Sequence, residues 1–440
     1  MDRRSAHDRE ILRLALPALG ALTVEPLYVL VDTAIVGHLG TDALGGLAVA
    51  GSVLVAVFNI FNFLAYSTTA AVARRIGAGD RKGAAQQGVA GVWLAAGLGL
   101  ALMALGLALA PVIVDVMGAS DAVRPAALTY LRISLFGAPA MLVVLAGMGF
   151  VRGLQDTRTT LVVAAGSNLM NLLVELVLVY GLHLGIAGSA WSTVSAQVAA
   201  ALVYVALVRR VVHRAGAAVR PHREDVRAVA VVGGQLALRT GSLLVALISA
   251  TAVAARISDA AVGAHQIAFQ VWIFLALALD AIAISAQAMI GRLLGAGDPD
   301  GARAAARRML EWGIVAGVVF GVLVAATRTF VAPLFTDDTA VRNLALEVLW
   351  LVALLQPINA MVFVLDGVLI GAGDARYLAG AMFAATFLVF VPAAAAVLVL
   401  DGGLLWLWSA LCLFMGARFA GNFLRFVGGR WLVTGVVRAS

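Results

Sequence analysis

The sequence predicts an all-α polytopic membrane protein, with twelve transmembrane helices in two parallel six-helix repeats. Three observations carry this prediction. Of the 440 residues, 62% are apolar before the 46 glycines are counted, and only 12% are charged, against roughly 25% in soluble domains. Apolar stretches of span length, about 20 residues, recur along the whole chain with Gly, Asp and Arg clusters between them. Several motifs also return at one constant offset. The composition excludes a soluble globular enzyme, a disordered chain and a fibrous protein. The single cysteine, Cys412, can form neither an internal disulfide nor a thiolate metal cluster.

The first span, 11–36, holds Glu25, Pro26 and Asp32 and has no small-residue cleavage site. It is therefore a retained helix and not a secretory signal. The second, 45–73, precedes Gly77-Ala78-Gly79-Asp80, and the third covers 86–110. The fourth, 125–151, precedes Gly153-Leu154-Gln155-Asp156, and the fifth and sixth cover 158–181 and 185–208. The basic run 211–226 reads as a linker with a short surface helix, separating an N-terminal lobe, 1–210, from a C-terminal lobe, 227–440. The second lobe repeats the pattern with 227–255, 261–291, 305–327, 341–370, 376–400 and 403–427. The Gly-rich turns are expected to end helices, because their glycines tolerate positive φ. No Gly-Lys-Ser/Thr follows them to make a phosphate loop.

Basic residues set the orientation. All but six of the 31 Lys and Arg fall at the chain ends, in the central linker or at alternate turns, such as Arg74, Arg75, Arg81, Lys82, Arg303 and Arg307. Both termini and the linker are thus expected on the cytoplasmic side. The net charge of +7 is then a solvated inner rim facing anionic lipid, and nucleic-acid binding is not expected. The repeat offset is 218. Arg74-Arg75-Ile76-Gly77-Ala78-Gly79-Asp80 matches Arg292-Leu293-Leu294-Gly295-Ala296-Gly297-Asp298, Gly153, Asp156 and Arg158 match Gly371, Asp374 and Arg376, and Pro139 matches Pro357. Six spans per half enter the membrane the same way round, which makes parallel repeats, with a cavity expected between them.

Ionisable residues inside spans cost about 2.5–3.5 kcal/mol on insertion scales, so they face a partner or a wet cavity. Glu25 and Asp32 are seven residues apart and share one helical face, and Pro26 removes a backbone donor beside them. The fifth span carries Asn168, Asn171 and Glu175 on one stripe, the sixth carries Ser189, Thr193 and Gln197, and the second carries Asn59, Asn62, Tyr66 and Thr69. Together these predict an oxygen-rich cluster in the N-terminal lobe. Two buried carboxylates disfavour simultaneous ionisation, so the cluster suits a proton or a hard cation such as sodium. The competing structural reading is hydrogen bonding from helix to helix. In the second half, Arg239 and Asp280 form a candidate internal ion pair, with Gln266 nearby in sequence. No resident metal or cofactor is expected.

Pro26 through Gly40, Pro-Leu-Tyr-Val-Leu-Val-Asp-Thr-Ala-Ile-Val-Gly-His-Leu-Gly, resembles the first-helix signature of the MATE (multidrug and toxic compound extrusion) family. Ala264-His265-Gln266-Ile267 and the stretch from Asp280 to Asp298 resemble the eighth-helix region of its DinF branch. The resemblance covers the chain from about Glu10 to Arg430 and implies a MATE/MOP-like fold and a cation-coupled efflux antiporter. It maps ion coupling onto Asp32, Asn171, Glu175 and Thr193, with Glu175 standing where similar proteins carry Asp. Glu25, Asn62, Tyr66, Asn168, Arg239, Gln266 and Asp280 are secondary candidates for substrate or ion.

The expected function is an inner-membrane antiporter, driven by protons or sodium, that exports amphipathic organic cations, and a monomer is expected. A lipid-linked precursor flippase of the same superfamily is the nearest rival, and it would favour a cationic cavity. A polytopic membrane enzyme would need clustered aspartates at one membrane face, and Asp337-Asp338 stands alone.

Overall fold

The computed structural model describes residues 3–436, with side chains from residue 7 onward; Arg438 and the extreme ends of the chain lie outside the described residues. Fifteen α-helices follow one another: α1 (Arg3–Gly37), α2 (Thr41–Phe61), α3 (Phe63–Gly77), α4 (Arg81–Val116), α5 (Arg124–Phe136), α6 (Ala138–Gly153), α7 (Thr157–Leu176), α8 (Gly185–Ala215), α9 (Arg223–Ile257), α10 (Asp259–Gly295), α11 (Pro299–Phe335), α12 (Thr339–Gly371), α13 (Ala375–Ala384), α14 (Val391–Val399) and α15 (Leu404–Val427). Single π-helical turns, Val177–Gly181 and Ala385–Phe390, extend α7 and join α13 to α14. Among the described residues there is no strand. Eleven helical stretches are long and apolar enough to cross a membrane, and the pair α5–α6, bent by 50° at Gly137, supplies a twelfth. The protein is a multi-pass membrane protein with the expected six spans per half.

The helix ends follow from the turn sequences. Gly79 and Gly297 take φ of 76° and 75°, the left-handed conformation that closes α3 and α10. Asp80 and Asp298 then accept the backbone N–H of Gly83 and Gly301 at 2.8 Å, capping α4 and α11. The central connection is shorter than the expected 211–226 and holds no helix of its own. Val212 is buried, so α8 runs on to Ala215 and stops at Gly216, with φ of 60°. Only residues 216–222 remain before α9.

The chain forms two compact units, Leu16–Gly233 and Met1–Ala15 with Gly234–Ser440. Each division falls inside a continuous 35-residue helix, α1 or α9, and not at the ends of the sequence repeat. Polar clips account for this: Arg308 and Arg292 hold Asp8 and Glu10 in one unit, and Gln87 with Arg75 holds Asp225 in the other.

The repeat is written into the packing of each unit. In the first, a Cβ at Gly149 would stand 2.4 Å from the Ala65 carbonyl oxygen, and one at Gly99 would stand 2.4 Å from Pro139 Cα. In the second, a Cβ at Gly367 would stand 2.4 Å from the Ala283 carbonyl oxygen, and one at Gly317 would stand 2.8 Å from Pro357 Cα. All four pairs are related by the 218-residue offset. Small residues let helix backbones touch where apolar lipid supplies no hydrophobic drive. Around these contacts, Phe150, Tyr204 and Val72 fill the first unit and Trp408, Phe414 and Phe390 fill the second.

Gly367→Ala forces α10 and α12 apart and is expected to cost about 1–3 kcal/mol, read as a lower thermal midpoint in detergent. Gly380→Ala, with nothing near its added Cβ, should leave the midpoint unchanged or slightly raised.

Candidate functional site

Three helices of the Leu16–Gly233 unit converge on a buried carboxylate pair. Tyr28 and Asp32 lie one turn apart on α1, which places both side chains on one face. Asn171 and Glu175 do the same on α7, and Ser189 and Thr193 on α8. Asp32 is 5% exposed and Glu175 not at all. The Ser189 hydroxyl donates to Asp32 Oδ1 at 2.8 Å. The single Tyr28 hydroxyl proton faces two acceptors, Asp32 Oδ1 at 3.4 Å and Glu175 Oε2 at 3.2 Å. Asn171 Nδ2 donates to Thr193 Oγ1 at 3.4 Å, which turns Asn171 Oδ1 the other way. Tyr130 of α5 is buried beside this cluster.

The donors do not match the acceptors. Glu175 Oε1 and Asn171 Oδ1 are buried oxygens without a partner. Among the described residues no Arg or Lys lies within ion-pair distance of either carboxylate. Two ionised carboxylates, met only by the hydroxyls of Tyr28 and Ser189, are strongly disfavoured in an apolar medium. Such an arrangement can take up positive charge, either as a proton on one carboxyl or as an oxygen-liganded hard cation. A π-helical turn begins two residues after Glu175; such turns gather at functional sites because they interrupt the regular ladder.

The structure therefore brings together Asp32, Asn171, Glu175 and Thr193. It adds Tyr28 and Tyr130, which sequence reasoning left out of the cluster, and it puts Ser189, placed on the polar stripe but not among the coupling residues, directly on Asp32. The signal was present for two of them: Tyr28 stands four residues before Asp32, and Ser189 four before Thr193. The secondary candidates scatter. Glu25 and Gln266 are exposed. Asn62 bonds Asn59 across the α2–α3 joint at 3.2 Å. Asn168 is half-buried with no side-chain hydrogen bond among the described residues, and Tyr66 and Asp280 are half-buried, neither of them without a partner.

Arg239 pairs with Asp366, a partner that the sequence reading did not single out for it. It bonds Asp366 Oδ2, which also accepts from Arg418 at 2.8 Å, while Asp366 Oδ1 accepts from Asn422 at 2.7 Å. Arg418 and Asn422 lie on one face of α15, inside a span, where the sequence reading counted Arg418 as part of the basic rim. Both oxygens of this carboxylate are taken by groups of the chain itself, so it has no need of an ion from outside.

The MatE family model matches residues 17–177 and 239–395. Protein DETOXIFICATION 44, chloroplastic, of Arabidopsis thaliana is 33% identical over 437 residues, covering 96% of this chain and 81% of that protein. DNA damage-inducible protein F of Escherichia coli (strain K12) is 30% identical over 387 residues, covering 86% and 83%. The solved Vibrio cholerae MATE transporter VcmN in its bent form superposes with a TM-score of 0.88 at 20% identity, covering 98% of both chains.

The two buried clusters respond oppositely to neutralisation. Asp366→Asn leaves two guanidiniums facing an amide and is expected to cost about 3–5 kcal/mol. Asp32→Asn removes one of two like charges and should change stability by less than about 1 kcal/mol. Thermal unfolding of the purified variants, compared side by side, reads this contrast.

Proposed function

The chain belongs to the MatE family of membrane transporters, and on that premise we propose that it is a cation-coupled antiporter exporting amphipathic organic cations by alternating access. It is an efflux transporter of the drug and xenobiotic class and not an enzyme. The observation that carries the finer reading is the Asp32–Glu175 pair, buried with two orphan oxygens and no basic partner. Such a site needs one positive charge at a time. A coupling proton or sodium ion and a cationic substrate compete for it, and mutual exclusion at one charge is the simplest basis for exchange.

Geometry supplies the conformational link. Tyr28 and Asp32 ride on α1, while Glu175, Asn171, Ser189 and Thr193 ride on α7 and α8. Neutralising the pair removes the repulsion between α1 and α7 and lets them close. Removing the ion reverses this. Pro17 and Pro26 lie inside α1, and each takes away a backbone donor, so the helix bends readily there. On the same stretches of chain, Leu30, Val31, Leu176 and Tyr180 line an open apolar recess of about 360 Å³ that neither carboxylate lines, and it suits the apolar part of a substrate. Each unit charge moving inward gains about 2.3 kcal/mol per 100 mV. Glu175 reaches farther than an Asp would, which leaves both proton and sodium open as the coupling ion.

The basic residues favour a cytoplasmic-membrane location with both chain ends inside, and the protein is proposed to work as a monomer. The flippase alternative is less favoured, because the guanidiniums of Arg239 and Arg418, both inside spans, are spent on Asp366.

The test uses purified protein in liposomes loaded with a fluorescent organic cation, with a pH gradient and a sodium gradient imposed separately. One gradient should drive dye movement, and Asp32→Asn should abolish it while folding normally. Unchanged movement in the variant would remove Asp32 from the coupling site.

A further inference from the structure

Helices α1 and α9 are each fastened at two places, once in each compact unit, and the fastenings differ in kind. At its first turns α1 is held in the unit of Met1–Ala15 and Gly234–Ser440. Arg308 donates to both Asp8 oxygens, from Nε at 2.6 Å and from Nη2 at 2.9 Å. Trp312 Nε1 donates to Asp8 Oδ1 at 2.8 Å, and Arg292 donates to Glu10 Oε1 at 2.7 Å. Ile11 and Leu14 are buried one turn on. Further along, the same helix carries Tyr28 and Asp32 into the carboxylate pair of the Leu16–Gly233 unit.

The order is reversed in α9. Its first turns are held in the Leu16–Gly233 unit, where Asp225 Oδ1 accepts from Gln87 at 2.8 Å and from Arg75 at 3.4 Å. Just before it, Val219 O accepts from Trp93 Nε1 at 3.3 Å. The helix then carries Arg239 to Asp366 in the other unit. That inner fastening is a guanidinium–carboxylate pair, complete within the chain. The inner fastening of α1 is complete only with an added cation.

We infer that α9 is a fixed strut and α1 a switched one, and that Asp8 and Glu10 are the positioning residues through which ion binding at Asp32 and Glu175 reaches the unit of Gly234–Ser440. The inference rests on the ion-coupled reading above. Asp8 stands 24 residues before Asp32, about 36 Å along a helix rising 1.5 Å per residue, so it cannot touch the ion. Pro17 and Pro26 lie between the two ends, so ion binding changes the bend of α1; a helix held at its far end passes that change on to what holds it, and a released tip absorbs it. The buried side chains beside the clip keep the tip folded when its charges are removed, so loss of transmission and loss of fold are separable.

The experiment uses full-length protein in liposomes, wild type against the double variant Asp8→Asn, Glu10→Gln. Hydrogen exchange over the α10–α11 junction is measured with and without the coupling ion, proton or sodium in turn, and dye movement is measured in parallel. The wild type should show an ion-dependent change in protection there. The double variant should lose that change, keep dye binding, and move dye about tenfold more slowly, within the usual range of coupling between sites. Asp8→Arg combined with Arg308→Asp, which re-forms the pair in reverse, should restore both readouts. Asp225→Asn should lower the thermal midpoint yet keep the ion-dependent change. Persistence of the protection change in the double variant, or its absence in the wild type, overturns the inference. Wild-type protein that shows the protection change but no gradient-driven dye movement would instead overturn the antiporter reading.

Discussion

A charge placed in an apolar interior must be met by an opposite charge or by enough hydrogen bonds, and this protein meets that demand in two ways. In one unit, Asp366 is answered by Arg239, Arg418 and Asn422, so the cluster is complete as soon as the chain folds. In the other, Asp32 and Glu175 are answered by the hydroxyls of Tyr28 and Ser189, and among the described residues no basic side chain lies within ion-pair distance to meet the remaining charge. The first arrangement needs nothing from outside the chain to hold its helices together. In the function proposed above, the second makes the packing of α1 depend on what is bound, so that two repeats with the same helical plan carry one joint complete in the chain and one conditional on an ion.

Much of this was legible in the sequence, because the membrane forces simple patterns. Span lengths, the punctuating Gly-Asp turns and the 218-residue repeat follow from hydropathy and turn chemistry. They reappear as twelve candidate spans and as matched glycine contacts at Gly149 and Gly367. The core of the candidate site was legible for a related reason. A carboxylate such as Asp32 or Glu175 is so costly inside a span that its presence marks a partner, and helical spacing says which neighbours share its face.

What stayed hidden depended on pairing between helices distant in sequence. Nothing local to Arg418 distinguishes a rim arginine from one turned inward onto Asp366; only the packing of α12 against α15 decides it. The same holds for the ends of the two units. Repeat arithmetic divides the chain at the linker, yet the clips at Asp8, Glu10 and Asp225 assign the first turns of α1 and α9 to the other unit. Ser189 is an intermediate case, since it lay on a recognised polar stripe but only its 2.8 Å bond to Asp32 separates it from an ordinary helix serine.

The clip at the start of α1 also sets an order of events during synthesis. Glu10 and Asp8 find their partners 282 and 300 residues later in the chain. Contacts of such separation form late, because the intervening loop must first be made and closed. The ribosome therefore delivers the whole carboxylate cluster, through Thr193, well before Arg308 emerges. The first unit can insert and pack early, with the tip of its first helix still unpartnered. That tip is taken up only once α10 and α11 arrive, so Asp8 and Glu10 wait longer for their partners than the cluster residues that follow them in the chain.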